Sequence, residues 1–338
     1  GYVHLFKKDS GTPLWSYDTG QDTVATVAIS ADGEYIVAGA DDTVYLFDKD
    51  SSTPLWSYDT GTQNIYSVSI SADGEYIAAG SQNNNIYFFD KDSSTPLWSK
   101  TLDDDVKSVS ISADGKYIAV GVGNTGKKVY LFNKGSSTPL WTYTAGDDIS
   151  SVDISSDGEY IVAGSQDNKV YLFDKDSSTP LWSYTAGGDV YTVSISADGE
   201  YIAAGSEDSK VYYFDKDSST PLWSYDLVYE VLSVSISADG EYIVACAEDY
   251  KTYLFGKDSS TPEWSYTASN YMHVVSISAE GKYIVSGSVD GDVFTFKNSL
   301  ASRPSVIPYG PRSGSEVETS VLRWFAGSDD RSNLTFDV

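Results

Sequence analysis

Cysteine and methionine occur once each, at Cys246 and Met272, and histidine twice, at His4 and His273. A lone cysteine excludes an internal disulfide, and sparse thiols suit either redox compartment. With so few soft ligands, no His/Cys/carboxylate group has the spacing of a zinc site. No Gly-x-Ser-x-Gly nucleophile elbow is present, so the abundant serines carry no hydrolase signature. No apolar run reaches about 18 residues, so no membrane-spanning helix is expected. Sustained helical periodicity is also missing, which removes the α/β alternatives. Basic residues are scarce: 22 Lys and Arg stand against 49 Asp and Glu, a formal net charge of −27. Such a surface repels nucleic acid and anionic membranes; it suits solubility or salt adaptation, and it would attract cations or a basic partner. These absences together point away from an enzyme.

Aromatic residues are plentiful, with 27 Tyr, 12 Phe and 8 Trp in 338 residues, and aromatic and β-branched side chains favour strands. The chain is a tandem repeat. An acidic-Gly pair recurs at Asp32-Gly33, Asp73-Gly74, Asp114-Gly115, Asp157-Gly158, Asp198-Gly199, Asp239-Gly240 and Glu280-Gly281, and Trp at 15, 56, 98, 141, 182, 223 and 264. Each unit reads as four short strands: VxSVSIS, a tight Asp-Gly hairpin turn, EYIVAGS, a polar loop, KVYLFD, the loop KDSSTP, and PLWSY. Four strands per unit of about 40 residues is the pattern of a propeller blade.

The segments DISSDGEYIVAGSQDNKVYLFD (153–174) and VYLFDKDSSTPLWSYDTG (44–61) resemble, respectively, the WD40 repeat and the repeat of the quinoprotein (PQQ)-like propellers. Phe173-Asp174 stands where the former family has Trp-Asp, and its opening Gly-His pair is missing from every unit. The resemblance implies an all-β propeller of four-stranded antiparallel blades with each Trp docked between neighbours. It also implies no particular activity, because propellers host many. In acidity and near-identity of units the chain resembles prokaryotic, especially archaeal, surface or secreted repeat proteins. That suggests an extracellular or cell-surface location, with the cytoplasm as the alternative.

One propeller domain is expected over 1–338, with regular repeats to 297. Seven units carry the acidic-Gly turn, but strands like KVYLFD occur eight times, including Tyr2–Phe6 and Val293–Phe296. Eight blades are therefore favoured over seven. The degenerate tail 298–338 would then pair with the N-terminal strands to close the ring and remove its open edges. The chain opens on Gly1-Tyr2-Val3, neither an initiator nor a signal peptide, so a longer parent is expected.

Comparing the units with one another locates the candidate site. The Asp-Gly turn and KDSSTP scarcely change, and strand alternation puts both on one face. The other two loop classes vary and share the opposite face, where a rigid scaffold usually carries its site. There Leu227, Val228 and Tyr229, with Asn270, Tyr271 and Met272, place apolar and aromatic groups in adjacent units, as interfaces favour. Lys127 and Lys128 sit in a two-residue insertion. Drift without function would also explain these departures. Asp48 and Asp50, repeated at Asp174 and Asp176, space oxygens like the first half of a calcium loop. The second half is missing, and an ordinary Asx turn is the plainer account. Weak Ca²⁺ is the only cofactor expectation. His4 reads as a strand-face substitution, Cys246 as a small buried residue, and Asn333-Leu334-Thr335 as a low-specificity glycosylation sequon. The functional expectation is a non-catalytic scaffold binding a protein partner through the variable face. The alternatives are a structural, self-associating surface protein and a small-ligand or carbohydrate binder.

Overall fold

The structure, a computed structural model, describes residues 1–301 apart from positions 9, 22 and 62. They form 29 strands in eight antiparallel sheets and no helix. β1 (Tyr2–Phe6) and β2 (Pro13–Asp18) pair as a two-stranded sheet. β3 (Val24–Ile29), β4 (Tyr35–Ala40), β5 (Thr43–Asp48) and β6 (Trp56–Asp59) form the first complete blade, in the order β3-β4-β5-β6. The same meander recurs over 65–101, 106–144, 149–185, 190–226 and 231–267, and 272–297 supplies three strands. The fold is an all-β propeller.

No central mass of side chains holds this ring together. Its apolar clusters lie between sheets, each built from two neighbours. Val37, Val44 and Leu46 of the first complete blade, for example, bury against Ile65, Ile77 and Phe89 of the next. Each of the seven repeat tryptophans, Trp15 to Trp264, closes such a layer from the rim. Trp182 packs on Phe214 at 5.3 Å and its Nε1–H donates to the Lys216 carbonyl at 2.6 Å, both in the following blade. Trp15, Trp56, Trp98, Trp141 and Trp223 repeat the hydrogen bond at 2.7–2.8 Å.

The innermost strands are stitched as well. Ser67 Oγ accepts the Val109 N–H of the next blade at 3.0 Å, and Ser108 Oγ accepts that of Val152 at 3.0 Å. At the Asp-Gly end a backbone belt runs from turn to turn. Ala31 N–H donates to Ala72 C=O, Ala72 to Ala113, Ala113 to Ser156, and so on through Ala238 to Ala279, at 2.9–3.0 Å.

Two glycine positions explain the repeat's strictness. In the turn, Gly199 has φ +75, and a Cβ there would stand 2.5 Å from the Tyr160 ring of the preceding blade. In the second strand, a Cβ on Gly80 would stand 2.4 Å from Val106 of the next blade. Both sites tolerate hydrogen only, one for backbone conformation and contact, the other for contact alone.

The two-stranded sheet lies between the three-stranded sheet and the first complete blade. Trp15 donates to Lys49 of that blade, while the Lys8 ammonium lies 5.1 Å from the Tyr283 ring. Lys134 over Tyr76 and Lys257 over Tyr201 are the same contact between successive blades elsewhere. In a ring of seven, Tyr283 would lie against Gly33; among the described residues nothing stands within 4 Å of where a Gly33 Cβ would be. The eight sheets thus fit the eight-unit reading. The tail expected to complete them, beyond residue 301, lies outside the described residues.

Candidate binding face

The two kinds of loop expected to vary do meet on one end of the ring. The residue before each inner strand accepts a hydrogen bond from the loop between the second and third strands of its own blade. Gln82 donates to Asn64, Gly123 to Asp105, Gln166 to Asp148, Glu207 to Asp189, Glu248 to Glu230 and Val289 to Tyr271, at 2.8–3.3 Å. The backbone is therefore constant while the side chains differ from blade to blade. Just inside, every inner strand carries a bulge at its second residue, the register slipping between Ile65 and Ser67 and at each equivalent position. The bulged residues are Ala25, Tyr66, Lys107, Ser150, Tyr191, Leu232 and His273, the most varied position of that strand. A bulge re-aims a side chain and frees it from the ladder.

Aspartates of these loops brace the face from within. Asp167 accepts the Tyr171 hydroxyl at 2.5 Å and the Gly146 N–H at 2.8 Å, and Asp208 does the same for Tyr212 and Gly187. Burial, then the neighbouring carboxylate, pushes both phenols well above their ordinary range.

Successive blades place Asp105, Asp148, Asp189 and Glu230 at the equivalent position, an acidic arc. Burial, then the nearby Glu248 and Glu207, raises the Glu230 carboxyl above its ordinary value. Burial and Glu207 likewise raise Asp189. Two lysines of this face are engaged in ion pairs, Lys107 with Asp105 at 3.1 Å and Lys127 with Asp147 at 2.8 Å. Lys128 pairs with Asp103. The insertion carrying Lys127 and Lys128 therefore adds little net positive potential.

Of the other residues expected to contact a partner, Val228 is 75% exposed and Tyr229 52%. Tyr271 is exposed and stacks on Tyr250, with ring centroids 4.9 Å apart and an interplanar angle of 16°. Asn270 is half-buried and its Oδ1 accepts the Tyr271 N–H at 2.9 Å. Two residues are corrected. Leu227 is only 2% exposed, filling the inter-blade cluster where Leu102 and Ala186 sit in other units. Met272 is fully buried at the first position of its inner strand, where other blades have Ile65, Val106 or Val190. Each belongs to a strictly apolar register that the neighbouring loop residues obscured.

Met272 also explains Cys246. Cys246 takes the place of the second-strand glycine, and its partner across the blade interface, an Ile or Val elsewhere, is here the unbranched Met272 in the same cluster. The chain's one cysteine and one methionine thus share one inter-blade cluster. Burial drives the thiol pKa well above its usual range, so the thiol stays protonated and inert. Tyr250 joins the candidate residues of this face through its stack on Tyr271; its signal in the sequence is a bulky aromatic where other units have Asn84, Asn168 and Ser209.

The aspartates with calcium-loop spacing act as turn acceptors. Asp48 Oδ1 takes the Asp50 N–H and Asp174 Oδ1 that of Asp176, each at 2.8 Å, and Lys175 lies 3.0 Å from Asp176. Among the described residues no three His, Cys, Asp or Glu side chains group as a metal site, and no helix is long and apolar enough to cross a membrane. His4 Nδ1 meets Ser16 Oγ at 2.7 Å, and its ring stacks on Tyr2 at 5.7 Å. Burial lowers its pKa.

Fold and face together define a repeat β-propeller of the WD40- and PQQ-like kind. Its sequence matches the family described as outer membrane protein assembly factor BamB over residues 1–184 and 166–321, and the chain belongs to that family. A comparison with curated proteins gives no match. Similar solved chains number 1951, so the architecture alone cannot select a function. Among them, a chain of the crystal structure of the mitotic checkpoint complex is 17% identical, with a TM-score of 0.69, covering 80% of this chain and 86% of that one. At that identity the likeness shows the fold alone.

Proposed function

We propose that this protein is a non-catalytic propeller scaffold that holds another protein on its variable face. One observation carries this reading. Side-chain variation between near-identical units concentrates on that face, and there it leaves Val228, Tyr229, Tyr250 and Tyr271 exposed together. Aromatic residues on rigid backbone are the usual anchors of protein interfaces. The family description, which names an outer-membrane assembly factor, supports work in the cell envelope.

The experiment is affinity capture from an envelope extract, comparing wild type with Tyr229→Ala/Tyr271→Ala. A partner held by wild type and lost by the variant supports the reading; a partner held equally by both moves the site elsewhere.

A second reading has its own observation. Leu14, Leu55, Leu97, Leu140, Leu181 and Leu222, one per blade on the rim, are each 50–54% exposed. A regular apolar rim favours self-association. Concentration-dependent sedimentation that vanishes when these leucines become serine would support it.

A further inference from the structure

We propose that Val228, Tyr229, Tyr250 and Tyr271 form the docking site for a cationic segment, a stretch of partner chain carrying exposed arginine or lysine. This deepens the scaffold reading and rests on it.

The patch is contiguous. Tyr250 and Tyr271 stack face to face, and Tyr229 lies close enough to Tyr271, with Glu248, to help raise the Tyr271 phenol after the Tyr250 hydrogen bond has done so.

The patch is also held in an unfavourable conformation. Val228 has φ +73 and Tyr250 φ +66. The Val228 position is Gly20, Gly61, Gly146 or Gly187 in four other units; the backbone is left-handed at Gly20 (φ +68) and Gly61 (φ +119), whose N–H groups, like that of Val228, bond the Asp two residues before, and it is not left-handed at Gly146 and Gly187. The Tyr250 position is Asn84, Asn168 or Ser209, at φ +66 to +70. Left-handed backbone suits Gly and Asn and opposes a β-branched or bulky residue. Both substitutions are exposed, and the ring of Tyr250 packs on another exposed side chain of the patch, Tyr271. Strain of this kind clusters at binding sites.

The surroundings select the charge of the occupant. Glu230 and Glu248 adjoin the tyrosines, with Glu207 beyond them, and among the described residues no lysine stands within ion-pair distance of the three. An uncharged apolar partner would bury these carboxylates with no counter-charge, Glu230 keeping only its hydrogen bond with Tyr191. An anionic one would meet repulsion from them and from the whole molecule, at −27. A guanidinium or ammonium stacked on the tyrosine faces gains cation–π attraction and a carboxylate partner together.

The probe is fluorescently labelled deca-arginine, titrated at about 150 mM salt so that distant charges are screened. The site variant is Tyr229→Ala/Tyr250→Asn/Tyr271→Ala, which leaves the net charge unchanged. The control, Asp50→Asn/Asp92→Asn/Asp176→Asn, removes three charges from the opposite face. Expected is about tenfold weaker binding by the site variant and less than about twofold by the control. Equal weakening by both, or wild-type affinity in the site variant, would overturn the proposal, leaving only general attraction to an acidic protein. Folding is checked with Tyr250→Asn alone. It restores the residue of other blades, so it should melt at or above the wild-type temperature while binding more weakly; a lower melting temperature would make the tyrosine structural and sink the idea. If envelope capture depends on Tyr229 and Tyr271 but deca-arginine does not, the face reading stands and the cationic class falls. If neither depends on them, both fall.

Discussion

The two ends of this ring are made from the same repeat under opposite constraints. At the Asp-Gly end, every blade touches the next through its backbone and its turn. The Ala belt runs from carbonyl to amide, a tyrosine ring lies against every turn glycine from Gly74 to Gly281, and the Trp indole caps the Lys carbonyl. A change in one unit there must be matched in its neighbour, so the units stay alike. At the other end the backbone hydrogen bonds are equally regular, but the side chains beyond them face solvent, and they drift from Thr23 to Glu230 to Tyr271 at one position. The lesson is that repeat identity marks where neighbours interlock, and divergence marks where something else can dock.

The sharpest way to break this comparison is to remove one aromatic from each end. Trp182→Ala takes away an indole packed on Phe214 and its hydrogen bond to Lys216; the loss expected is about 3 kcal/mol, the low end for a large aromatic because Trp182 is half-buried. Tyr229→Ala should change stability by less than about 0.5 kcal/mol. Urea unfolding of both measures the difference, and equal losses would show that the faces do not differ as described.

Glycine sharpens the same contrast. Gly199 and Gly20 both have positive φ, but a Cβ on the first meets Tyr160 and one on the second meets nothing within 4 Å. Gly199→Ala should cost about 2 kcal/mol, conformation plus displacement of a ring, and Gly20→Ala about 1 kcal/mol, conformation alone. A Gly20 variant as damaged as the Gly199 variant would mean that the variable loops are locked too.

A third test asks whether a departure within the interlocked region is compensated. Met272→Ile beside Cys246 recreates the clash that a glycine avoids, and Cys246→Gly beside Met272 leaves a gap. Cys246→Gly/Met272→Ile restores the arrangement of the other blades. The double variant should recover at least about 1 kcal/mol relative to the sum of the single changes, read from a double-mutant cycle. Strict additivity would dissolve the pair.

Much of the ring was legible because its repeat is nearly verbatim: turn, strand order and the sharing of faces follow from recurrence, and the docking of the repeat tryptophans from the resemblance to known propellers. The site was legible only in outline. Leu227 and Met272 looked like surface residues because their neighbours Val228 and Tyr271 are. Their true register emerges only when each is aligned on the Trp before it and on the inner strand after it. Tyr250 escaped because a tyrosine in a polar loop is unexceptional until its backbone is seen to be left-handed. The stacking of Tyr250 on Tyr271 joins loops of different kinds, and no single unit encodes it.

The smallest effect expected is electrostatic and belongs to the acidic arc. Glu230 and Asp189 have carboxyl pKa values raised by burial and by like charge. The folded state therefore holds their protons more tightly than the unfolded chain, and ionisation opposes folding. The penalty is complete at neutral pH, above the folded pKa, and disappears as pH falls through that value towards the unfolded one. Asp103 and Asp147 are lowered by their lysines and Asp104 is held at about 2, by hydrogen bonds from Thr125 that outweigh its burial; these three favour the folded state until acid protonates them. Stability should thus rise modestly from about pH 7 to about pH 5 and fall only below about pH 4. Glu230→Gln should raise the melting temperature at pH 7 by about 1 °C, since water still screens a half-buried group. That gain should shrink in high salt and vanish near about pH 4. A variant that melts lower at pH 7 would show that the hydrogen bond Glu230 makes with Tyr191 outweighs the burial and the like charge, and that the face is less in need of a cation than its geometry indicates.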